Sequence, residues 1–276
     1  MATATRGKRI GFIGGGNMAE ALVRGLVGAG HAPASITVAE PVAARRTVLA
    51  RRYRVKVATG NAEAADGAAA VILAVKPQVI DDVLAGLADH VTGSQVVISI
   101  AAGVTLKRLQ KTLGATARVV RVMPNTPCLV GRGVSVLCGG ARARPADLKL
   151  ARGLFATVGK AHVTDDEKVM DAVTGLSGSG PAYVYLFAEA LIRGGVRAGL
   201  DADLAADLAY ETIAGAAEML IQTGQQPADL RGAVSSPGGT TLAGLESLEG
   251  GKFSATVAGG VVAATRRSRE LGRGKP

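Results

Sequence analysis

The chain has 276 residues, of which 48% are hydrophobic and 3% aromatic, and it carries a formal charge of +10. This length allows one large domain or two modest ones, each with its own core. Basic residues occur in scattered pairs such as Arg51-Arg52, and no basic run is interleaved with aromatics, so the charge does not predict a nucleic-acid-binding protein. Two cysteines without C-x-x-C spacing argue against a disulfide framework or a zinc site and are typical of a reducing compartment.

No segment of the sequence predicts export or membrane insertion. Residues 1–9 are polar and basic, and no apolar segment of the signal-peptide type follows them. The longest uninterrupted apolar run, residues 68–75, is too short to cross a bilayer. We therefore expect a cytoplasmic protein without a membrane partner.

The first part of the chain alternates between short apolar runs and helical segments. Continuous apolar strands separated by helices predict an α/β fold with a mostly parallel sheet covered on both faces. Two later strands, at 134–138 and 161–164, are expected to extend this sheet at one edge, with a helix at 145–157 between them. The other strands are expected at 8–13, 36–39, 55–57, 71–75, 96–100 and 118–123, and helices at 17–30, 41–53, 61–66, 79–89 and 106–113.

After residue 165 the pattern becomes helical. Several of these segments are rich in Ala and Gly, so they can approach other helices closely, and a helical domain this small has a limited internal core. The sequence predicts a dinucleotide-binding domain at residues 1–165 and an all-α domain at 166–276 that packs against a second copy of itself. The helices are expected at 167–174, 181–198, 202–223, 240–249 and 253–271.

A glycine-rich turn follows the first strand. Residues 14–19 fit the pattern G-x-G-x-x-A, in which Gly14 permits a tight turn and Gly16 lets the backbone approach a pyrophosphate. The small Ala19 lets the helix pack against the strand, and the pyrophosphate lies at the helix N-terminus. Because this pattern stands at the first strand of an alternating chain, it predicts a Rossmann-type domain that binds a nicotinamide dinucleotide.

Further candidate residues follow later strands, where ligands of open α/β sheets bind. Glu40 follows the second strand. An acidic residue at this position typically forms hydrogen bonds with the adenosine ribose hydroxyls and disfavours a 2′-phosphate. Arg45 and Arg46 are close enough in sequence to pair with such a phosphate, so the residues alone leave NAD and NADP open. Lys76, whose turn is fixed by Pro77, can contact the cofactor or polarise the substrate.

Two more loops complete this edge of the predicted sheet. The small residues at 99–103 leave room for a flat nicotinamide ring, and Asn125 and Thr126 can reach its carboxamide or the substrate. The histidines at positions 31, 90 and 162 form no catalytic pair and no metal-ligand pattern with the carboxylates. We therefore expect the cofactor to carry the chemistry, while the protein orients substrate and hydride donor.

In the helical half, residues 234–241 form a Gly-rich loop that carries four hydroxyls and opens a helix near Thr240. Free N–H groups at a helix start, together with hydroxyls, hold a carboxylate without a buried charge of the protein's own. Two glycines and four hydroxyls exceed what an ordinary helix cap requires. The loop therefore predicts a binding site for a small anionic substrate.

These segments together make the chain resemble the Δ1-pyrroline-5-carboxylate reductases, which catalyse the last step of proline biosynthesis. The resemblance implies a Rossmann domain, a helical dimerisation domain, and a homodimer or a larger assembly such as a decamer. It also implies NAD(P)H-dependent reduction of L-1-pyrroline-5-carboxylate, a cyclic imino acid, to L-proline. It runs in order through residues 11–19, 74–78, 99–103, 123–127, 176–183 and 234–241.

The resemblance further implies the site residues. The Thr241 hydroxyl would form a hydrogen bond with the ring nitrogen. Thr241 and Lys76 are therefore the candidate catalytic residues. Hydride transfer to a protonated imine needs no strong base. The substrate carboxylate would be held by the hydroxyl of Ser236 and the N–H groups of Gly239, Thr240 and Thr241. The cofactor positions would be Gly14, Gly16, Asn17, Met18, Glu40, Asn61, Ala74, Lys76, Pro77, Ala102 and Gly103.

Two departures from the family pattern and two alternative functions remain. Glu40 stands where many relatives carry small hydroxyl residues, so the family favours NADPH while Glu40 argues for NADH. Gly224 replaces an acid found in some relatives.

The first alternative function, a β-hydroxyacid dehydrogenase, requires a helix-borne lysine, and none lies between Lys168 and Lys252. A dinucleotide-responsive interaction protein would leave the loop at 234–241 without a role.

Overall fold

The computed structural model describes Thr5 and residues 7–273. Within these residues the chain forms an eight-stranded sheet with the strand order 3-2-1-4-5-6-7-8. Sequence order reverses at β1, which lies between β2 and β4, as in a doubly wound dinucleotide-binding fold. The strands are β1 (Ile10–Ile13), β2 (Ile36–Ala39), β3 (Lys56–Ala58), β4 (Ala70–Leu73), β5 (Val96–Ser99), β6 (Arg118–Met123), β7 (Gly133–Gly139) and β8 (Gly159–Thr164).

The sheet is parallel from β3 to β6, and the register brings the carboxyl ends of neighbouring strands together. Ile13 at the end of β1 is paired with Ala39 of β2 on one side and with Leu73 of β4 on the other. β7 runs antiparallel to β6, and β8 runs parallel to β7. The predicted extension of the sheet at one edge is therefore confirmed.

Helices cover both faces of the sheet, which is why the inner strands are apolar along their whole length. Phe12 belongs to a core shared with α1, α2 and α6, whereas its neighbour Ile13 belongs to a core shared with α3, α4 and α5. Successive strand residues point to opposite faces, so each face receives every second side chain. These helices are α1 (Asn17–Gly28), α2 (Ala43–Tyr53), α3 (Asn61–Ala65), α4 (Ile80–Leu87), α5 (Leu106–Leu113) and α6 (Pro145–Phe155).

The described residues divide into two compact units. The first comprises the residues up to Ser179 together with those from Ala263 onward, and the second is Gly180–Val262. No helix of the described residues is long and apolar enough to cross a membrane. The remaining helices are α7 (Met170–Val173), α8 (Gly180–Arg197), α9 (Ala202–Thr223), α10 (Pro227–Ala233), α11 (Thr240–Gly250) and α12 (Phe253–Gly272).

Small residues let helices of the second unit approach closely, as the Ala- and Gly-rich sequence predicts. A Cβ on Gly195 of α8 would lie 3.2 Å from Cβ of Ala205 on α9. Ala188, Ala205 and Ala209 are buried. Many larger apolar side chains of this unit are exposed instead, including Tyr185 at 61% and Val262 at 68%. The unit therefore has a thin core of its own.

The last turns of α12 are fixed to the first unit by buried polar contacts. Arg121 on β6 is 4% exposed and lies 2.9 Å from Oε1 of Glu167. Asp171 of α7, whose Oδ1 is 3.9 Å from Arg121, accepts a 2.7 Å hydrogen bond from the hydroxyl of Ser268 on α12. The carboxylates of Glu167 and Asp171 therefore compensate the positive charge of the buried Arg121 guanidinium.

Two parts of the helical half differ from the sequence prediction. The helix expected at 167–174 is a 3-10 turn (Glu167–Val169), then α7, then a π-helical turn (Thr174–Gly178). The Thr174 hydroxyl donates to the Met170 carbonyl, and two glycines in the π-helical turn weaken α-helical hydrogen bonding. The sequence prediction also omits α10, whose seven residues are too few for a clear helical period.

Candidate functional site

The turn after β1 requires glycine at two successive positions. Gly14 has φ +95°, and its N–H donates to the Ala39 carbonyl over 2.8 Å. A Cβ on Gly14 would lie 2.7 Å from the carbonyl oxygen of Ala74, and one on Gly15 would lie 2.8 Å from Cδ1 of Leu49. The backbone of this turn is therefore held between β2, β4 and α2.

Gly16 serves a different purpose. Its φ is −70°, a value any residue adopts, and no atom lies within 4 Å of the position a Cβ would take. It caps α1 without any side-chain hydrogen bond, and Asn17 beside it is exposed, while Met18 is half-buried. The N–H groups of the first turn therefore face an open space of the kind that a pyrophosphate occupies.

Glu40 braces this turn as well as standing at the end of β2. Its side chain is 8% exposed; Oε2 accepts the Gly15 N–H over 2.7 Å and Oε1 accepts the Val42 N–H over 2.9 Å. The guanidinium of Arg45 donates to the Gly15 carbonyl over 2.7 Å and pairs with Glu20 at 2.8 Å. Glu40 therefore holds a fixed negative charge at the position where the sequence predicts a ribose contact.

Both arginines proposed for a 2′-phosphate have partners inside the protein. The guanidinium of Arg46 donates to the carbonyls of Glu40 and Pro41, each over 2.7 Å. Burial raises the pKa of the Glu20 carboxyl, but hydrogen bonds from Arg45 and Tyr53 outweigh it and hold that pKa below its ordinary value. Glu20 is therefore the anion that occupies Arg45.

The cofactor positions after β4 lie beside the turn. The Ala74 N–H donates to the Ile13 carbonyl over 2.8 Å, which joins the carboxyl ends of β1 and β4. Lys76 is exposed and precedes a 3-10 turn (Pro77–Val79) that Pro77 begins. The predicted rigid turn is present, and it leaves the Lys76 ammonium at the surface.

The remaining cofactor positions also follow strand ends. Asn61 is the first residue of α3, directly after β3. Ala102 is half-buried, and Gly103 has φ +74° and is buried. A Cβ on Gly103 would lie 3.3 Å from Cβ of Leu271, so the end of α12 packs against this loop within the first unit. The structure thus brings the predicted cofactor residues to one edge of the sheet.

Asn125 has a structural role that the sequence does not reveal. Its side-chain oxygen accepts the Val134 N–H over 2.9 Å and ties the loop after β6 to the start of β7. Thr126 is exposed. The side-chain oxygen of Asn125 is therefore used inside the protein.

The loop before α11 is closed by its own hydrogen bonds. Gly238 has φ +69°, the Gly239 N–H donates to the Ser236 carbonyl over 3.0 Å, and the Ser235 hydroxyl donates to the Arg231 carbonyl over 2.7 Å. A Cβ on Gly239 would lie 2.5 Å from Oγ of Ser236, so a larger residue there would displace this hydroxyl from its place beside the helix start.

The start of α11, at Thr240 as predicted, leaves donors unused. Gly239 caps the helix without a side-chain hydrogen bond, and its own N–H is engaged within the turn. The first N–H groups of a helix have no intrahelical acceptor, so those of Thr240 and Thr241 are available to a ligand. Ser236 is exposed and Thr241 is half-buried. Neutral donors at a positive helix end suit an anion.

The described residues contain no group of three or more side chains suited to hold a metal ion. The histidines match their predicted structural or surface roles. His31 is buried at 4% exposure, and that burial lowers its pKa. Nδ1 of His90 lies 3.3 Å from Asp66, and His162 is exposed on β8.

The two halves of the chain match two family profiles. One, described as NADP oxidoreductase, coenzyme F420-dependent, matches residues 9–103, and the other, described as pyrroline-5-carboxylate reductase dimerisation, matches residues 167–271. The pyrroline-5-carboxylate reductase of Synechocystis sp. is 47% identical over 96% of this chain and 98% of its own length. The chain belongs to the pyrroline-5-carboxylate reductase family.

Solved structures of pyrroline-5-carboxylate reductases have the same fold. The Coxiella burnetii protein superposes with a TM-score of 0.91 at 36% identity and covers 96% of this chain and 98% of its own. The Plasmodium falciparum protein, solved with NADP bound, gives 0.87 at 34% identity and covers 97% and 99%. Membership in the pyrroline-5-carboxylate reductase family confirms the resemblance, the fold class and the prediction of an NAD(P)-dependent oxidoreductase.

Proposed function

We infer that this protein reduces L-1-pyrroline-5-carboxylate to L-proline with NAD(P)H, the last step of proline biosynthesis. The observation that carries this inference is the start of α11, where a glycine cap leaves N–H donors and hydroxyls for a small anion. The relatives in this family are named for a small anionic substrate, pyrroline-5-carboxylate. No strong general base is required, because the reaction transfers a hydride to an already electrophilic C=N bond.

The dinucleotide is proposed to lie along the carboxyl edge of the sheet. Gly14, Gly16, Asn17 and Met18 would hold the pyrophosphate, because the open start of α1 offers N–H donors and a positive helix end. Bound NAD(P)H supplies the hydride. The residues along its length would be Glu40, Asn61, Ala74, Lys76 and Pro77, with Ala102 and Gly103 beside the nicotinamide.

The substrate carboxylate is proposed to accept hydrogen bonds from the N–H groups of Thr240 and Thr241 and from the Ser236 hydroxyl. The Gly239 N–H can join them where the turn opens, since it donates to the Ser236 carbonyl in this conformation. The Thr241 hydroxyl would accept a hydrogen bond from the protonated ring nitrogen. Lys76 would contribute a positive charge at the cofactor edge.

In this scheme C5 of the ring accepts the hydride. The electron pair of the C=N bond then moves to the nitrogen, which already carries its proton, and the product is the secondary amine of proline. Thr241 fixes the ring nitrogen, and the helix start fixes the carboxylate, so that one face of C5 is presented. The protein itself neither gains nor loses a proton.

We propose that Glu40 makes NADH a better donor than NADPH. Its carboxylate is held by two backbone N–H groups and is fixed near the adenosine end, while Arg45 and Arg46 already have partners. A 2′-phosphate would meet this negative charge at short range. The family's NADPH preference argues in the other direction, so the comparison of the two donors decides the point.

We propose a homo-oligomer built through the helical domain, at least a dimer and, as the family resemblance implies, a decamer. The support is the set of exposed apolar side chains of the second unit and the match to a dimerisation profile at residues 167–271. Light scattering at micromolar concentration tests this proposal, and a monomer contradicts it. We also propose the cytoplasm as its location and a functional domain boundary between Asp165 and Asp166.

The test of the function is steady-state oxidation of NADH and of NADPH with L-1-pyrroline-5-carboxylate, with proline measured as the product. The proposal expects stoichiometric proline with both donors and a higher kcat/KM with NADH. Cofactor binding without proline formation would instead favour a dinucleotide-binding interaction protein.

A further inference from the structure

A cluster of three arginines lies at the edge of the sheet opposite the glycine turn. Arg118 begins β6, which runs parallel to β1, so it lies at the amino end of the parallel strands. Arg142 and Arg144 lie in the connection between β7 and α6. A cavity of about 570 Å³, here called the arginine pocket, is lined by Gly93, Thr116, Arg118, Ala141, Arg142, Ala143, Arg144 and Pro145.

Arg118 forms a fixed wall of the arginine pocket. Its side chain is buried, with 9% of the residue exposed; Nη1 donates to Oδ1 of Asp147 over 2.6 Å and Nη2 donates to the Ser94 carbonyl. Its buried Nε has no hydrogen-bond partner among the described residues. Arg118 therefore contributes a fixed positive charge to the wall of the arginine pocket.

The charges of the arginine pocket do not balance. Asp147 is the acid that contacts these arginines; it pairs with Arg118, and its other oxygen accepts the backbone N–H of Arg144 over 2.9 Å. The side chains of Arg142 and Arg144 are exposed at the opening. The N-terminus of α6, an eleven-residue helix, begins at the same place and adds partial positive charge. The lining of the arginine pocket therefore carries three guanidinium groups, of which Asp147 pairs with one.

We propose that the arginine pocket binds a small phosphate-bearing anion. Guanidinium groups match the geometry of phosphate oxygens and bind them in pairs of hydrogen bonds. The volume exceeds that of a single phosphate, so the ligand is either free phosphate or the phosphoryl end of a metabolite. Because the pocket and the glycine turn lie at opposite edges of the sheet, this ligand does not compete with the dinucleotide.

The experiment measures thermal unfolding of the full chain, saturated with NADH, against increasing inorganic phosphate or pyrophosphate. Sodium chloride at matched ionic strength is the reference. The double variant Arg142→Ala/Arg144→Ala removes two exposed charges of the pocket. Lys56→Ala/Lys160→Ala, on exposed positions of β3 and β8, removes the same charge elsewhere and serves as the control.

We expect a saturable rise in Tm of about 3 °C or more for the wild type and the lysine control, beyond the chloride reference. The arginine variant should show no such rise, while its Tm without phosphate and its NADH oxidation rate remain those of the wild type. Equal saturation by both anions indicates a site for one phosphate, and a preference for pyrophosphate indicates a larger ligand; both support the pocket. No rise in the wild type, or an equal rise in the arginine variant, overturns the proposal.

Discussion

The glycine turn after β1 and the loop before α11 are organised in opposite ways. The turn is fixed from several sides: by the Ala39 carbonyl, by the carboxylate of Glu40 and by the guanidinium of Arg45. The loop before α11 is largely exposed and is closed by local hydrogen bonds such as that from Ser235 to Arg231. The sheet provides rigid strand ends for the turn, whereas the thin helical unit provides no comparable support.

The two segments should therefore respond differently to substitution. A side chain added at Gly14 meets backbone atoms at a positive φ and should therefore disturb folding as well as cofactor binding. Removal of the half-buried Thr241 hydroxyl adds no atom to the start of α11 and should disturb catalysis alone.

Gly14→Ala should give the largest effect. The added Cβ lies 2.7 Å from the Ala74 oxygen at a positive φ, so we expect unfolding to become easier by about 2–4 kcal/mol. We also expect NADH affinity, measured by fluorescence titration, to fall about 100-fold. Gly16→Ala is the matched variant, because its Cβ meets no protein atom and its φ is ordinary. It should keep the wild-type Tm and still lose NADH affinity. An equal loss of Tm in both variants would contradict the separate roles given to the two glycines.

Thr241→Ala should reduce kcat/KM for the cyclic imine by about ten- to a hundredfold. This corresponds to the loss of one hydrogen bond to a charged group, about 1.5–3 kcal/mol. The dissociation constant for NADH and the Tm should not change. Thr241→Ser keeps the hydroxyl and should recover most of the activity. Wild-type turnover in Thr241→Ala would remove the proposed contact to the ring nitrogen.

Glu40→Gln should shift the donor preference toward NADPH. The amide keeps one oxygen for a backbone N–H but loses the charge, so the ratio of kcat/KM for NADPH to that for NADH should rise about tenfold. The measurement is the ratio itself, since a general loss of stability lowers both values together. An unchanged ratio would assign Glu40 to bracing the turn alone.

His31→Gln should give the smallest effect, visible as a change in pH dependence. Burial lowers the pKa of His31 in the folded protein below its ordinary 6.5, so the unfolded chain binds the proton first. Its contribution to stability is therefore complete above that value and is lost as the pH falls below it. Between about pH 7.5 and about pH 5.5 the Tm of His31→Gln should fall less steeply than that of the wild type. His162→Gln, at an exposed position of β8, is the matched control.

Most of the sheet was predictable because buried parallel strands leave a strong signal. The apolar runs at β4 and β5 have no other explanation in a chain of alternating elements. The antiparallel direction of β7 is harder to predict from the sequence, because it depends on which strand β7 pairs with and not on its own residues. Gly11 shows a signal of a different kind. A Cβ there would lie 1.9 Å from the Ala64 oxygen, and a glycine inside an apolar strand suggests such a close approach of another backbone segment.

The candidate site was predictable in its positions and less so in its contacts. Motif spacing located Gly14, Gly16 and Thr240, because turns and helix starts have local requirements. It did not reveal that Glu40 binds the Gly15 N–H, since this contact depends on the pairing of β1 with β2. The use of the Asn125 amide by Val134 is likewise a tertiary contact that leaves no mark in local sequence.

Deuteride transfer tests whether the hydride of the nicotinamide reaches C5 of the cyclic imine. The full-length protein is incubated with L-1-pyrroline-5-carboxylate and with NADH that carries deuterium at C4 of the nicotinamide on one face or the other. Proline is then examined by mass spectrometry and NMR. The account predicts one deuterium at C5 of L-proline from one of the two labelled donors, and its formation should be strongly slowed in Thr241→Ala. Oxidation of both labelled donors without deuterated proline from either would contradict this transfer.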